Sequence, residues 1–276
     1  MPRTLSPATV DQFERTGVCF PIRVMTADAA AKLRAQLEAA ESKVGGSISG
    51  NLRHKSHLVF TWLDELVRLP SILDAVEDLL GPDLMVWSSN LFVKDAHDPS
   101  FVSWHQDSTY WGLSEPLAMT AWVAFTASTP ESGCLRVSSG THLTDQMPHV
   151  DNPAAHNLLT RGQEIAMTID ERTAIDVVLA PGEMSVHHVR AAHGSEPNRS
   201  NDRRIGFAIR YVPARVRQLA GRDFATLVRG QDTYGHFEPE PRPATDFDPA
   251  AMAAHSEIMR VVSETLLQGS SRQALR

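Results

Sequence analysis

The sequence predicts a mainly β chain with flanking helices, its core a double-sheet jelly roll or barrel. Three observations predict it. Between about residues 84 and 213 at least seven short β-rich runs follow one another: LMVWSSNLFV, FVSWHQ, MTAWVAFTA, CLRVSSG, IDVVLAP, MSVHHV and RIGFAIRYV. Turn residues separate them, and most gaps show no helical periodicity. Helical texture is confined to about residues 5–82 and to the end of the chain.

In order, Ser6 is placed to cap a first helix with Pro7 at its first position and Gly17 as its stop, and the strand-like VCFPIRV follows. Thr26 caps the Ala/Leu-rich ADAAAKLRAQLEAAES, and Gly45, Gly46 and Gly50 end it in a loop. A helix over Ser71 to Leu80 puts Ile72, Leu73, Val76, Leu79 and Leu80 on one face, and Gly81-Pro82 closes it. The β core follows. Within it His142 to Gly162, with Pro148, Asp151, Asn152, Pro153 and Asn157, is too polar for a strand and reads as a lid-like loop. Beyond Pro213 the chain turns Pro-rich (EPEPRPATDFDP) and closes with a helix from about Ala250 to Leu267. With no repeat and no linker, residues 1–276 read as a single domain: helical decoration at 5–82, core at 84–213 and a C-terminal extension over 214–276.

Composition narrows the function classes. The chain has 276 residues, with 26 Lys+Arg against 33 Asp+Glu for a formal net charge of −7, and no dense basic run. That excludes a nucleic-acid or anionic-membrane footprint. Its longest uncharged run, Pro116 to Pro130, falls short of the roughly 18–20 apolar residues of a membrane helix. Arg3, Asp11, Glu14 and Arg15 leave no signal-peptide core, and Cys19 and Cys134 stand alone without ligand spacing. A cytoplasmic monomer or homodimer acting on a small molecule is the expectation.

The chemistry gathers in two stretches. In SWHQDSTYW, His105 and Asp107 are two apart, which on a strand sends both side chains to one face. With a second His from a distant strand they make a two-His-one-carboxylate set, which suits non-haem Fe(II) because it leaves coordination positions open. A hydrogen-bonded structural pair is the bland alternative. In MSVHHVRAAHGSEPNRSNDRRIGFAIRYV, His193 is followed by Gly194 and Ser195 and lies eleven residues before Arg204, which opens the next β-like run. An Arg reaching the interior there can hold the distal carboxylate of a dicarboxylate such as 2-oxoglutarate. The alternative is that Arg203 and Arg204 are surface charges and His193 caps a turn.

On NLFVKD, WHQDSTYW, TAWVAF, GCLRVSSGTH, PGEMSVHHVRAAHGS and PNRSNDRRIGFAIRYVP, the chain resembles the phytanoyl-CoA dioxygenase-like branch of the Fe(II)/2-oxoglutarate-dependent oxygenases over roughly residues 5 to 235. The resemblance implies a cupin-like double-stranded β-helix that uses Fe(II), 2-oxoglutarate and O2. It makes His105, Asp107 and His193 the iron ligands, Arg204 the partner of the 2-oxoglutarate tail and Ser195 a hydroxyl donor to the same carboxylate. Lys94 and Trp122 would then point inward near the co-substrate, and Gln106 could hydrogen-bond co-substrate or substrate. Their bland readings are a snorkelling lysine, a core tryptophan and an exposed glutamine. His187 or His188 is a rival ligand or a supporting donor. Related halogenases lack the acid that Asp107 supplies, so hydroxylation is implied. Asn51, Arg53, His54, Lys55, His57, Tyr110, Trp111, Arg190 and Arg210 are expected around the mouth, a mix suited to a polar or anionic molecule. A coenzyme A thioester is the alternative substrate, and a cupin-type metal protein that does not use 2-oxoglutarate, or a non-catalytic sensor, is the alternative function.

Overall fold

A computed structural model of the chain describes residues 4–152, 154–159 and 161–266. Helix α1 (Pro7–Thr16) begins where the Ser6 side chain accepts from the Thr9 N–H and ends at Gly17, whose φ of 80° puts it in the left-handed region. After β1 (Val18–Arg23), helix α2 (Ala27–Val44) starts at a Thr26 cap and stops at Gly45. Helices α3 (Thr61–Leu66) and α4 (Pro70–Leu80) precede the β core. The core strands are β2 (Leu84–Lys94), β3 (Val102–His105), β4 (Met119–Ala124), β5 (Leu135–Ser138), β6 (His149–Asp151) and β7 (Gln163–Ile165). They continue with β8 (Ala174–Val177), β9 (Glu183–His188), β10 (His193–Ser195), β11 (Arg204–Pro213), β12 (Phe224–Arg229) and β13 (Glu238–Pro239), and α5 (Pro249–Leu266) follows. No described helix is long and apolar enough to cross a membrane.

Two sheets form the jelly roll, one in the order β1-β9-β4-β11-β2-β12-β13 and the other β3-β10-β5-β8. All pairs are antiparallel except β12 with β13. Strand β11 shows how the large sheet divides its faces. Ile205, Phe207, Ile209 and Tyr211 join the main core with Leu63, Leu66, Ile72 and Val76 of α3 and α4, and the Tyr211 hydroxyl donates to Val67 O at 2.8 Å. The alternate positions Arg204, Ala208 and Arg210 line the space between the sheets. Both faces are covered, so β11 reads as a nearly continuous apolar run with an arginine at each end of its inner face.

Two sequence expectations need correcting. Residues 149–151 form strand β6, since their backbone groups pair with β7 in the register His149↔Ile165 and Asp151↔Gln163 whatever the side-chain polarity. Pro153 of that segment and Leu267, the expected end of the last helix, lie outside the described residues. Second, the large sheet extends beyond residue 213 through β12, which pairs with β2.

Gly206 carries a packing constraint. A Cβ there would sit 1.8 Å from Trp122 Cζ2, so only glycine lets the indole lie flat against β11. Gly206→Ala is expected to cost about 1–3 kcal/mol by overpacking, read as a fall in Tm of several degrees by calorimetry.

Candidate metal centre and adjoining chambers

Cross-strand pairing brings the two histidines of the site together: His193, at the start of β10, is the register partner of His105, at the end of β3. Their ring centroids are 4.1 Å apart. Asp107 arrives by a different route from the one its spacing suggested. The strand stops at His105, and Asp107 opens a 3-10 turn (Asp107–Tyr110) anchored by its own N–H on Val189 O at 3.1 Å. The turn sets its carboxylate 3.3 Å from His105 Nε2. One potential ligand atom each from His105, Asp107 and His193 lies within 4.8 Å of the others, and all three residues are buried.

The protonation states suit a cation. His105 Nδ1 faces Ser103 O at 2.9 Å and His193 O at 3.1 Å, and His193 Nδ1 faces Ala191 O at 2.9 Å. Carbonyls only accept, so each Nδ1 carries the proton and each Nε2 keeps its lone pair. Burial pushes His193 well below the usual histidine range, helped by the neighbouring His105 and His187. Burial would raise Asp107, but the Arg210 guanidinium, with Nε 3.9 Å from Oδ2, holds it well below the usual carboxylate range. An Nε2 from each of two histidines and one ionised carboxylate are the donor set for a divalent metal such as Fe(II).

An inner chamber of about 470 Å³, its opening included, adjoins this cluster, lined by Phe92, Trp122, Leu135, Ser195 and Arg204 among others. Arg204 is buried in its wall, its Nε–H has no acceptor among the described residues, and its guanidinium carbon lies 5.2 Å from the centre of the Trp122 ring. Burial pulls it down to about 10. No described carboxylate is within hydrogen-bonding distance of it, so it is a cation awaiting an anionic partner. Ser195 Oγ accepts from Lys94 Nζ at 2.7 Å, which leaves its own proton to donate.

The remaining predicted residues divide. Trp122 lines the chamber as expected. Lys94 is fully buried but outside the lining: Nζ donates to Ser195 Oγ and to Glu196 O, so its contact with the chamber wall is through Ser195. Burial, with Arg204 nearby, lowers it to about 6. Gln106 does not face the chamber. Its amide donates to Arg190 O at 2.7 Å, and its oxygen accepts from Gln146 Nε2 at 2.8 Å and Met147 N at 2.7 Å, so it pins the 146–147 segment instead. His187 lines the chamber with both ring nitrogens unpartnered, burial lowering it to about 4, yet it stands outside the metal-competent set. His188 packs on Phe13 and His142. Arg203 lies on the outer face with Glu41 and Asp95.

An outer chamber of about 620 Å³, mouth included, shares Phe92, Asp107, Leu159 and Arg210 with the inner one. Arg53, His54, Tyr110, Trp111 and Arg210 line it as expected, joined by Trp87, Asn90 and Arg161, which sequence reasoning missed. Arg161 ion-pairs with Asp151 at 2.9 Å and lies 3.8 Å over the Tyr110 ring. Leu158, Leu159 and Arg161, from the segment expected to be lid-like, form part of this wall.

Lys55 and His57 are not at the mouth, nor is Asn51, which is exposed on the surface, or Arg190, which lines a different cleft. Lys55 takes a left-handed backbone (φ 46°), and its side chain runs behind the wall to Trp87 O at 2.6 Å and Glu240 Oε1 at 2.5 Å. His57 is 3.3 Å from the other Glu240 oxygen. Burial would raise Glu240, but Lys55 and His57 bring it down to about 2. Its stabilising contribution is therefore complete above the ordinary glutamate value, about 4.3, and is lost as pH falls from there towards about 2. Glu240→Gln, which strips a buried cation of its partner, is expected to cost about 3–5 kcal/mol. Its Tm should change less than the parent's between neutral and acidic pH.

A family model described as phytanoyl-CoA dioxygenase (PhyH) matches residues 4–206. Among curated proteins, the chain is 27% identical over 169 residues to a probable alpha-ketoglutarate-dependent hypophosphite dioxygenase of Stutzerimonas stutzeri, covering 60% of this chain and 58% of that protein. The chain thus spans well under two thirds of that relative's length. Among solved structures, the apo form of the non-heme monooxygenase ThoJ superposes with a TM-score of 0.84 at 42% identity, covering 94% of this chain and 97% of that one. CytC3 with Fe(II) and alpha-ketoglutarate superposes with a TM-score of 0.62 at 26% identity, over 87% of this chain and 100% of that one.

Proposed function

The chain belongs to the phytanoyl-CoA dioxygenase family, and on that footing we propose that it is an Fe(II)- and 2-oxoglutarate-dependent dioxygenase that hydroxylates a C–H bond of a small polar molecule and releases succinate and CO2. The observation that carries this reading is the pairing of a three-donor metal cluster with an unneutralised, buried Arg204 across one chamber. A cupin-type metal protein without 2-oxoglutarate has no use for that guanidinium. The relatives bound to, or named for, alpha-ketoglutarate support the same reading.

His105, Asp107 and His193 would hold the iron, and the metal supplies O2 activation and Lewis acidity when bound. The chain supplies position. Arg204 receives the distal carboxylate of 2-oxoglutarate, Ser195 donates its hydroxyl proton to the same group, and Trp122 keeps the guanidinium plane in place. Phe92, Leu135 and Leu159 exclude water from the chamber. Asp107 stays ionised through its contact with Arg210 and so remains a competent ligand.

The test is a succinate-release screen of the Fe(II)-loaded protein against small acids, amino acids and phosphonates in one panel and acyl-CoA thioesters in another. Stimulation by the first panel above the substrate-free background is expected. Stimulation confined to thioesters would sink the small-substrate reading, and failure to consume 2-oxoglutarate under any condition would sink the oxygenase reading itself.

A further inference from the structure

The outer chamber holds more positive charge than its own carboxylates neutralise. Arg53 and Arg210 both line it. Among the described residues Arg53 makes one hydrogen bond, from Nη2 to Leu158 O at 3.4 Å, and Arg210 donates from Nη1 to Asn90 Oδ1. The Nε–H of each is buried without an acceptor. Burial lowers Arg53 to about 10, and the charge that adds to this is the like charge of Arg210. Asp107, the carboxylate of the lining, lies 3.9 Å from Arg210 and is turned towards His105 in the metal cluster. One such carboxylate cannot serve as counter-ion to two buried guanidiniums and a metal.

Each of the two cations lies against an aromatic ring. The Arg53 guanidinium carbon lies 5.1 Å from the centre of Phe92, and that of Arg210 lies 5.2 Å from the centre of Trp111. A guanidinium held against an aromatic ring offers its N–H groups edgewise, in the fork that matches a carboxylate or phosphonate. Arg204 is not part of this arrangement. It sits at the other end of the inner face of β11, six residues from Arg210 with Gly206 and Ala208 between them.

We propose that Arg53 and Arg210 form an anion clamp in the outer chamber, and that the substrate is an organic acid whose oxyanion head group docks between them with its apolar body along Phe92 and Trp111. This rests on the oxygenase reading, because it gives the outer chamber to the molecule that is hydroxylated.

The Mn(II)-loaded protein, kept anaerobic, is titrated by calorimetry first with 2-oxoglutarate and then with phenylacetate, phenylphosphonate or the neutral phenylacetamide. Both anions are expected to bind on the order of 10–100-fold more tightly than the amide, the effect of a charge-assisted hydrogen bond. Arg53→Gln should erase most of that preference and leave 2-oxoglutarate affinity within about twofold of the parent. Absence of 2-oxoglutarate binding would overturn the oxygenase reading. Normal 2-oxoglutarate binding with no preference for the anions over the amide would overturn the clamp alone, and this comparison needs no variant. Loss of 2-oxoglutarate affinity in Arg53→Gln, with phenylacetate binding intact, would also overturn it by assigning Arg53 to the co-substrate.

Discussion

His105→Ala and His193→Ala are each expected to abolish turnover and to lower Fe(II) affinity by more than the roughly 10–100-fold that losing a ligand's supporting hydrogen bond costs. Both imidazoles have their Nδ1 tied to backbone carbonyls, so the strand pairing that aims Nε2 survives truncation of either one. What disappears is a donor. Asp107→Ala should likewise end hydroxylation, and it also leaves Arg210 without its nearby carboxylate. His187→Ala is the control: the ring stands 4.6 Å from His193 but outside the metal-competent set, so iron binding should persist. Anaerobic Fe(II) titration reads the affinity. Loss of iron in His187→Ala with retention in His193→Ala would exchange their roles.

Arg204→Ala is expected to weaken 2-oxoglutarate binding by about 2–5 kcal/mol, the consequence of removing one partner from a buried charge pair. That corresponds to roughly 30-fold to a few thousand-fold in Kd. Arg203→Ala should change it little, since Arg203 lies across the sheet with Glu41 and Asp95. Titrating 2-oxoglutarate into the metal-substituted variants separates the two. Equal losses, or a greater loss for Arg203, would place the anchor one residue away.

What the sequence determined by itself is chemistry that is local or carried by residue type. The caps at Ser6 and Thr26 and the stops at Gly17 and Gly45 stand where hydrogen bonding over three or four residues puts them. His105, Asp107, His193 and Arg204 were legible as a set because metal and carboxylate chemistry admits few residue types and because Arg204 follows His193 by eleven positions. The tertiary structure decided where side chains with several plausible destinations went. Gln106 follows a metal-cluster residue and still turns to the 146–147 segment. Lys55 and His57 lie beside Arg53 and His54 in the chain but are drawn behind the chamber wall by Glu240, nearly two hundred residues later. Arg161 enters the chamber on a segment that read as a lid-like loop without singling out this residue. A sheet covered on both faces has no polar alternation to read, and the destination of a buried polar side chain is set by whichever distant partner can satisfy it. That partner is supplied by the fold, so position in the chain does not reveal it.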